Sequence, residues 1–396
     1  MTGTVVAARN TVALSFLLNG FSFASWVSRI PEARAELGLS NGQLGLLLLA
    51  VSCGSVLTLP TTGALINWRG AGWVVRVGVS SVTVGLAGIA IGAGVLASVP
   101  VTALAMFCYG LGIGIWDVAM NVEGAAVERG LGRNIMPRFH AAFSLGTVLG
   151  AGIGAATVAL DVPLLWHLMA VGVVNFVLVQ ATTGRFLSRA EEVTEHAERR
   201  SAWRAWTEGR TLVIGVMVFA LALTEGTAND WLAIALIDGY DVERWVGVLG
   251  FAGFVSAMTL GRLFGPPILD RHGRVPVLWT TMAMAGAGVL LVVFGGSWAL
   301  VVVGIVLWGI GASLGFPVGM SAAADDPLHA AARVSVVSSI AYTAFLAGPP
   351  LLGFVADEIG ALQALLVVAV LLIPSVLVVP SAREPADPAP VPADPA

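Results

Sequence analysis

The residues able to do chemistry in this sequence are few, and they sit where charge is least welcome. Asp117 stands in the run Gly110 to Glu123, GLGIGIWDVAMNVE, inside an apolar stretch that reads as a membrane-crossing helix. A carboxylate near a bilayer midplane costs roughly 3 kcal/mol on insertion scales, so such a group faces a water-filled or protein-lined interior. Asn121 follows one helical turn later on the same face, and Gly110 and Gly114 share that face, where they admit a close neighbour. Glu225, Asp230 and Trp231 fall in a second apolar run, and His140 opens a third. Acids held out of water and a histidine offer proton exchange and polar recognition.

Several other chemistries are excluded. All 20 basic residues are arginine, which removes the phosphate-gripping lysine of a Walker loop and any lysine Schiff base. Gly311-Ala312-Ser313-Leu314-Gly315 satisfies a nucleophile-elbow pattern, but it lies in an apolar run without acid and base partners. The glycine runs 110–114 and 150–154 follow no soluble strand, so they are not dinucleotide loops. The sequence has no zinc-type cluster, and Cys53 and Cys108, both in apolar runs, suggest no disulfide. The expectation is a protein that is not an enzyme, with no metal, cofactor or nucleic-acid partner.

Composition says what scaffold positions these groups. Hydrophobic residues make up 57% of the 396-residue chain and charged ones 11%, with a mean hydropathy of +0.89, values that belong to a polytopic protein of the lipid bilayer. Twelve stretches reach the ~20 apolar residues that a spanning helix needs. They lie near 11–28, 42–66, 74–97, 101–125, 139–160, 163–184, 211–236, 245–268, 276–296, 298–322, 334–356 and 361–380. The first is read as a retained helix, not a signal peptide, because Asn19 interrupts it and only Arg9 precedes it. Putting both termini inside leaves only Arg29, Arg34 and Arg244 outside, with Arg262 counted among those at or near the cytoplasmic side; that imbalance sets the orientation. The expected location is the inner (cytoplasmic) membrane, multi-pass, with both ends cytoplasmic.

The longest polar connection divides the chain into a six-helix bundle over 1–184, a cytoplasmic linker over 185–210 and a second bundle over 211–380. Trp203 and Trp206, flanked by Arg199, Arg200, Arg204 and Arg210, fit either a short amphipathic helix on the membrane surface or an exposed linker. Residues 381–396, SAREPADPAPVPADPA, are too proline-rich to pack and are expected to be disordered. The halves repeat each other weakly: Trp26 and Trp231, Gly45 and Gly247, Gly70 and Gly273, Gly110 and Gly309, and Gly154 and Gly353 match at offsets drifting from 205 to 199. The fold class is all-α, with twelve transmembrane helices in two pseudo-symmetric six-helix bundles and substrate bound between them.

The loop after the second stretch reads Gly63-Ala64-Leu65-Ile66-Asn67-Trp68-Arg69-Gly70, and the loop after the eighth reads Asp270-Arg271-His272-Gly273-Arg274. This pair resembles the signature of the major facilitator superfamily, with Asn67 in place of an aspartate in the first copy and Pro266 in place of a glycine in the second. The resemblance implies the major facilitator fold and a gate involving Asn67, Arg69, Asp270, Arg271 and Arg274, weakened at Asn67. Within the superfamily, DVAMNVEG (117–124), MPRFHAAFSLG (136–146) and EGTANDW (225–231) look like the branch containing the fucose:proton symporter. An acid on helix four of that branch is implicated in substrate and proton handling, and Asp117 occupies the matching place. Its acid on helix one corresponds here to Asn19.

Each candidate carries two readings. Asp117 is a proton site or a structural acid bonded to Asn121 or to helix five. Glu225 is a candidate for proton coupling and for substrate, and Asp230 contacts substrate or lines the outer mouth. His140 is a proton relay or a gate hydrogen-bonding group. Trp26, Trp116 and Trp231, with Asn19 and Asn121, are candidate substrate contacts, although Trp26 and Trp231 also fit interface anchors. Glu123 and Glu128 are expected to pair with Arg129, Arg133 or Arg138 at the gate. The second half's counterpart of Asp117 is Phe316, followed by Pro317, so the acid has no twin. The expected function is a monomeric secondary transporter moving a small solute, such as a sugar or related polar compound, by alternating access with proton coupling. The alternatives are a proton-driven exporter of small amphipathic compounds and a non-transporting receptor that kept the fold.

Overall fold

Twelve helices long and apolar enough to cross a membrane make up the computed structural model, which describes residues 2–132, 135–187, 204–326 and 329–384. They are α1 (Thr4–Leu37), α2 (Asn41–Arg69), α3 (Ala71–Gly94), α4 (Val99–Leu131), α5 (Met136–Ala159), α6 (Leu164–Arg185), α7 (Gly209–Tyr240), α8 (Arg244–His272), α9 (Arg274–Phe294), α10 (Trp298–Ala323), α11 (Ala332–Ile359) and α12 (Ala361–Ala382). Each matches an apolar run in the sequence, but α1 continues past residue 28 to Leu37. Its last segment, Ile30–Leu37, restarts the helix after Arg29 with Pro31 in the first turn, where a missing N–H costs nothing, and stops at Gly38 in the left-handed region. Arg133, Arg199, Arg200, Trp203 and the tail from residue 385 lie outside the described residues. The tail before that point is folded: residues 379–382 form a 3-10 turn, and the Ser381 carbonyl accepts Nε of Arg210 at 3.0 Å.

The helices pack as two bundles with the same internal pattern. α1 lies on α5, α2 and α3 on α4, and α3 on α6; the second bundle repeats this as α7 on α11, α8 and α9 on α10, and α9 on α12. Glycines explain part of the repetition. Gly110 lets α4 approach the backbone of Val51 on α2, and Gly309 lets α10 approach α8, where an added Cβ would sit 2.6 Å from the Phe254 carbonyl. Gly70 and Gly273 end α2 and α8 with φ of 84° and 76°, a conformation that costs glycine little and other residues much. Gly45 and Gly247 do not share a role: the first meets α11 and the second α7.

The bundles meet through α2 on α11 and α5 on α8. An even number of crossings leaves both chain ends on one face. Among the described residues, the side-chain hydrogen bonds that join the bundles lie from the opposite face inward. Arg34 pairs with Asp238 at 2.6 Å. The Asp357 carboxylate, at the end of α11, accepts the N–H groups of Asn41 at 2.8 Å and Gly42 at 2.9 Å and the hydroxyl of Ser40 at 3.0 Å, so one bundle caps the N-terminus of a helix in the other. Deeper in, Ser52 donates to the Phe345 carbonyl at 2.8 Å. Gly42 and Gly45 permit this approach, since a Cβ on Gly45 would lie 2.8 Å from the Pro350 Cα.

On the face carrying the chain ends, the described ion pairs stay within the second bundle. Asp325, whose side chain is buried, is shared by Arg210 at 2.8 Å and Arg274 at 2.7 Å. Arg333 bonds Glu208 at 2.7 Å and Asp326 at 3.3 Å, and its guanidinium holds the Glu208 carboxyl below the usual carboxylate range. The first bundle uses aromatic contacts at this face: the Arg69 guanidinium lies 4.3 Å from the centre of the Trp68 ring and 5.7 Å from that of Trp73. Asn67, Asp270 and Arg271 are exposed.

Candidate functional site

Asp117 lies near the middle of the 33-residue α4 and is half-buried. The amide nitrogen of Asn121, one turn on, donates to the Asp117 carbonyl at 2.9 Å and reaches its carboxylate at 3.4 Å. No ion pair to a described residue neutralises Asp117. Tyr342 of α11, in the other bundle, comes within electrostatic reach of it. Trp116 is used elsewhere: it is fully buried, its indole N–H donates to Ser15 Oγ on α1 at 2.7 Å, and its Cβ packs where Gly78 on α3 makes room.

The second bundle answers with a pair of charges. Glu225, near the middle of the 32-residue α7, takes both carboxylate oxygens to Arg262 Nη2 of α8, at 2.8 and 3.0 Å. Counting arginines by helix end sets Arg262 at or near the side that carries the chain ends. Its side chain instead reaches into the bundle, where Glu225 and the Ser313 carbonyl, 3.3 Å from its Nε, receive it. That carbonyl is available for a local reason. Pro317 has no N–H to return to Ser313, so the helical bond is missing and α10 breaks at Ser313–Leu314. Where the first bundle has Asp117, the second therefore has a broken helix presenting a backbone acceptor to an arginine. His140, exposed near the start of α5, lies within electrostatic reach of Arg262, and its ring meets Phe16 edge-on at 5.2 Å.

Further along α7, Asp230 and Thr227 line a crevice against Phe345, Gly348 and Pro349 of α11. Trp231 and Trp26 are buried. The indole nitrogen of Trp231 and the amide nitrogen of Asn19, also buried, have no hydrogen-bond partner among the described residues. Glu123 and Glu128 do not bond to described arginines: Glu123 accepts the Leu187 N–H, and Glu128 accepts those of Ile135 and Met136, each at 2.7 Å. Backbone donors left over beside helix ends are nearer than any described guanidinium there and need no side-chain ordering. Arg271 remains exposed while Arg274 takes part in the Asp325 cluster. Sequence reasoning also missed a network at the face away from the chain ends. Buried Arg29 donates to Nδ1 of His167 at 2.9 Å and to the Val162 carbonyl at 2.7 Å, pairs with Glu32, and so ties the α1 break to α6.

The site is thus divided between two bundles. An unpaired acid with an amide stands on one side, an ion pair on the other, and Tyr342 and His140 lie across the join. Such an arrangement can bind hydroxyls and amides and can take up a proton.

The Major Facilitator Superfamily profile matches residues 245–396. An uncharacterised transporter of Sinorhizobium fredii is 33% identical over 87% of this chain and 90% of its own length. An uncharacterised transporter of Yersinia pestis, described as of MFS type, is 32% identical over 89% of this chain and 90% of its own. Among solved structures, a D323A variant of the nucleoside transporter NupG superposes with a TM-score of 0.81 at 13% identity, covering 95% of this chain and 99% of that one. A bacterial homologue of the human lysosomal transporter Spinster, inward-facing and unoccupied, gives 0.74 at 14% identity over 98% and 100%. The Escherichia coli fucose:proton symporter gives 0.63 at 14% identity over 95% and 98%, and FucP in its outward conformation also gives 0.63. With two relatives above 30% identity along nearly their whole length and twelve helices arranged as in these transporters, the chain belongs to the major facilitator superfamily.

Proposed function

We propose that this protein is a proton-coupled secondary transporter that moves a small polar solute by alternating access, with Asp117 carrying the proton. The observation that carries this reading is the contrast between the two central acids: Glu225 is held by Arg262, whereas Asp117 has no cationic partner among the described residues and stands at the join between the bundles. A lone acid there changes charge when a proton arrives, and a ligand or proton shifts a conformational equilibrium only through its differential affinity for the states. The bundles over 1–184 and 211–380 act as the rocking bodies, joined by the linker 185–210. The state is inward-facing, a reading supported by bonds across the join that cluster away from the chain ends and by the better superposition on the inward-facing Spinster homologue. The arginine distribution supports cytoplasmic termini in an inner membrane, and the protein works as a monomer.

The substrate class is a neutral polyhydroxyl compound, a sugar or nucleoside, which suits the amide, phenol and carboxylate groups of Asn121, Tyr342 and Asp117. Thermal-shift screening of purified protein against sugars, sugar acids, nucleosides and hydrophobic amines identifies the ligand. Proteoliposomes with an imposed pH gradient then test the coupling: Asp117→Asn retains binding and exchange but loses gradient-driven accumulation. Full accumulation by Asp117→Asn would overturn the assignment.

A further inference from the structure

Asp230 presents a problem that the transport cycle proposed above does not use. It lies on α7 beyond Glu225, is half-buried, makes no hydrogen bond to any described residue, and lines an inter-helix crevice. One turn before it, the Thr227 hydroxyl is buried and has no partner. That is unusual for this chain, in which helical threonines give their proton to a carbonyl three or four residues back, as Thr224 does to Ala220 at 2.7 Å and Thr62 to Thr58 at 2.7 Å. Both side chains line the same space between α7 and α11, about 10 Å³ as seen by the centre of a water-sized sphere. A volume of that size takes one small occupant.

The other wall is short of donors by construction. Pro349 and Pro350 lie inside α11 and bring no N–H, so the carbonyls of Phe345 and Leu346 lose their helical partners. The Phe345 carbonyl accepts Ser52 Oγ with one lone pair and keeps a second. The crevice therefore brings a carboxylate and an unpartnered hydroxyl of α7 up against the stretch of α11 whose carbonyls the prolines release. No described cation pairs with them: the charged neighbour on α8, Arg262, is committed to Glu225.

We propose that this crevice is a binding site for a monovalent cation of the size of sodium, held by Asp230, Thr227 and the backbone of α11 at its double-proline break. A carboxylate without a partner in a narrow space between helices is stabilised by a proton or by a cation. A proton needs only the carboxylate. An idle hydroxyl beside the carboxylate, facing a helix segment whose carbonyls have lost their helical partners, offers the oxygen ligands that a hard cation requires. One negative charge and about three protein oxygens balance a single positive charge, whereas calcium takes six to eight oxygens and magnesium a near-octahedral shell. Because Ser52 of the other bundle hangs on the Phe345 carbonyl, the ion stiffens α11 where the bundles meet. Its occupancy thus favours the arrangement in which that face is shut.

The site lies apart from Asp117 and does not rest on that residue's role. The test is equilibrium dialysis of radiolabelled sodium against the purified full-length chain at mildly alkaline pH, with choline chloride holding the ionic strength. Binding should saturate, be displaced by unlabelled sodium but not by choline, and weaken at acid pH as protons compete for the carboxylate. Asp230→Asn should abolish it. Thr227→Val, close to isosteric and apolar, should weaken it about tenfold; this milder variant carries the test if Asp230→Asn does not fold. Asp117→Asn should bind sodium as the parent does. Absence of saturable binding in the parent, or unchanged binding in both Asp230→Asn and Thr227→Val, overturns the proposal.

Discussion

Gly45→Ala places one methyl group where α2 of the first bundle touches α11 of the second. The new Cβ would lie 2.8 Å from the Pro350 Cα and closer still to the Pro349 carbonyl oxygen, whereas ordinary contact begins at 3.4 Å. The Pro350 backbone must therefore yield by at least 0.6 Å, the difference between those two distances, and a double-proline segment has little freedom to do so. Overpacking of this kind costs about 1–3 kcal/mol. In a state that opens this face the two helices part and the methyl group meets no backbone, so the whole cost falls on the shut state. The ratio of shut to open molecules should drop roughly 5- to 150-fold. Spin labels at Glu36 and Glu358, both exposed near the tips of the two bundles, in a Cys53→Ser/Cys108→Ser background, read this as a new long-distance population. Gly63→Ala, on the same helix with nothing within 4 Å of the added atom, is the matched control. If the Gly45→Ala distribution overlays that of the parent, the α2–α11 contact is not the seal described above.

Asp357→Asn, which removes the charge that caps α2 from the other bundle, should lower the same shut-to-open ratio, but only several-fold, because the Ser40–Gln43 capping box remains. Glu225→Gln should lower the unfolding midpoint by stranding Arg262. A fully buried pair broken this way loses about 3–5 kcal/mol, and this part-exposed one should lose less, with Glu225→Gln/Arg262→Gln more stable than the sum of the singles predicts. Glu208 has a depressed native pKa, so its contribution to stability is present at neutral pH and is lost as pH falls through that value, below the ordinary glutamate pKa of 4.5. The midpoint difference between the parent and Glu208→Gln should accordingly vanish in acid; a difference that persists there would refute the Arg333 assignment.

What could be read in the sequence was whatever a run of side chains encodes by itself. Twelve helices follow from apolar runs of sufficient length, and the repeat follows from glycines such as Gly110 and Gly309 whose backbone role is the same in both halves. The extension of α1 escaped because Arg29, Glu32, Arg34 and Glu36 make it polar; its stability comes from partners on α6 and α7 that are distant in sequence. The inward reach of Arg262 was hidden for a related reason: counting arginines by helix end says nothing of how far a guanidinium reaches, and its acceptors are Glu225 of another helix and a carbonyl released by Pro317. The seal between α2 and α11 is made of glycine, proline and backbone groups, which leave no hydrophobic pattern to find. Asp117 and Glu225 were visible because a charge inside an apolar run is anomalous wherever it occurs. Their difference in pairing was not visible, since it depends on which bundle supplies an arginine.

The two bundles present unlike chemistry at the chain-end face, and that makes them respond unequally to the medium. Arg210, Arg274 and Arg333 hold the second bundle's helix ends through carboxylates, several of them within reach of water, and dissolved ions weaken such pairs. Arg69 of the first bundle lies over indole rings, a short-range contact in which much of the adhesion comes from removing apolar area from water. Raising the ionic strength therefore loosens one bundle's end while leaving the other's intact. The structurally repeated halves become distinguishable by electrolyte alone, through hydrogen exchange that quickens around Asp325 and Arg333 before it changes around Trp68 and Trp73.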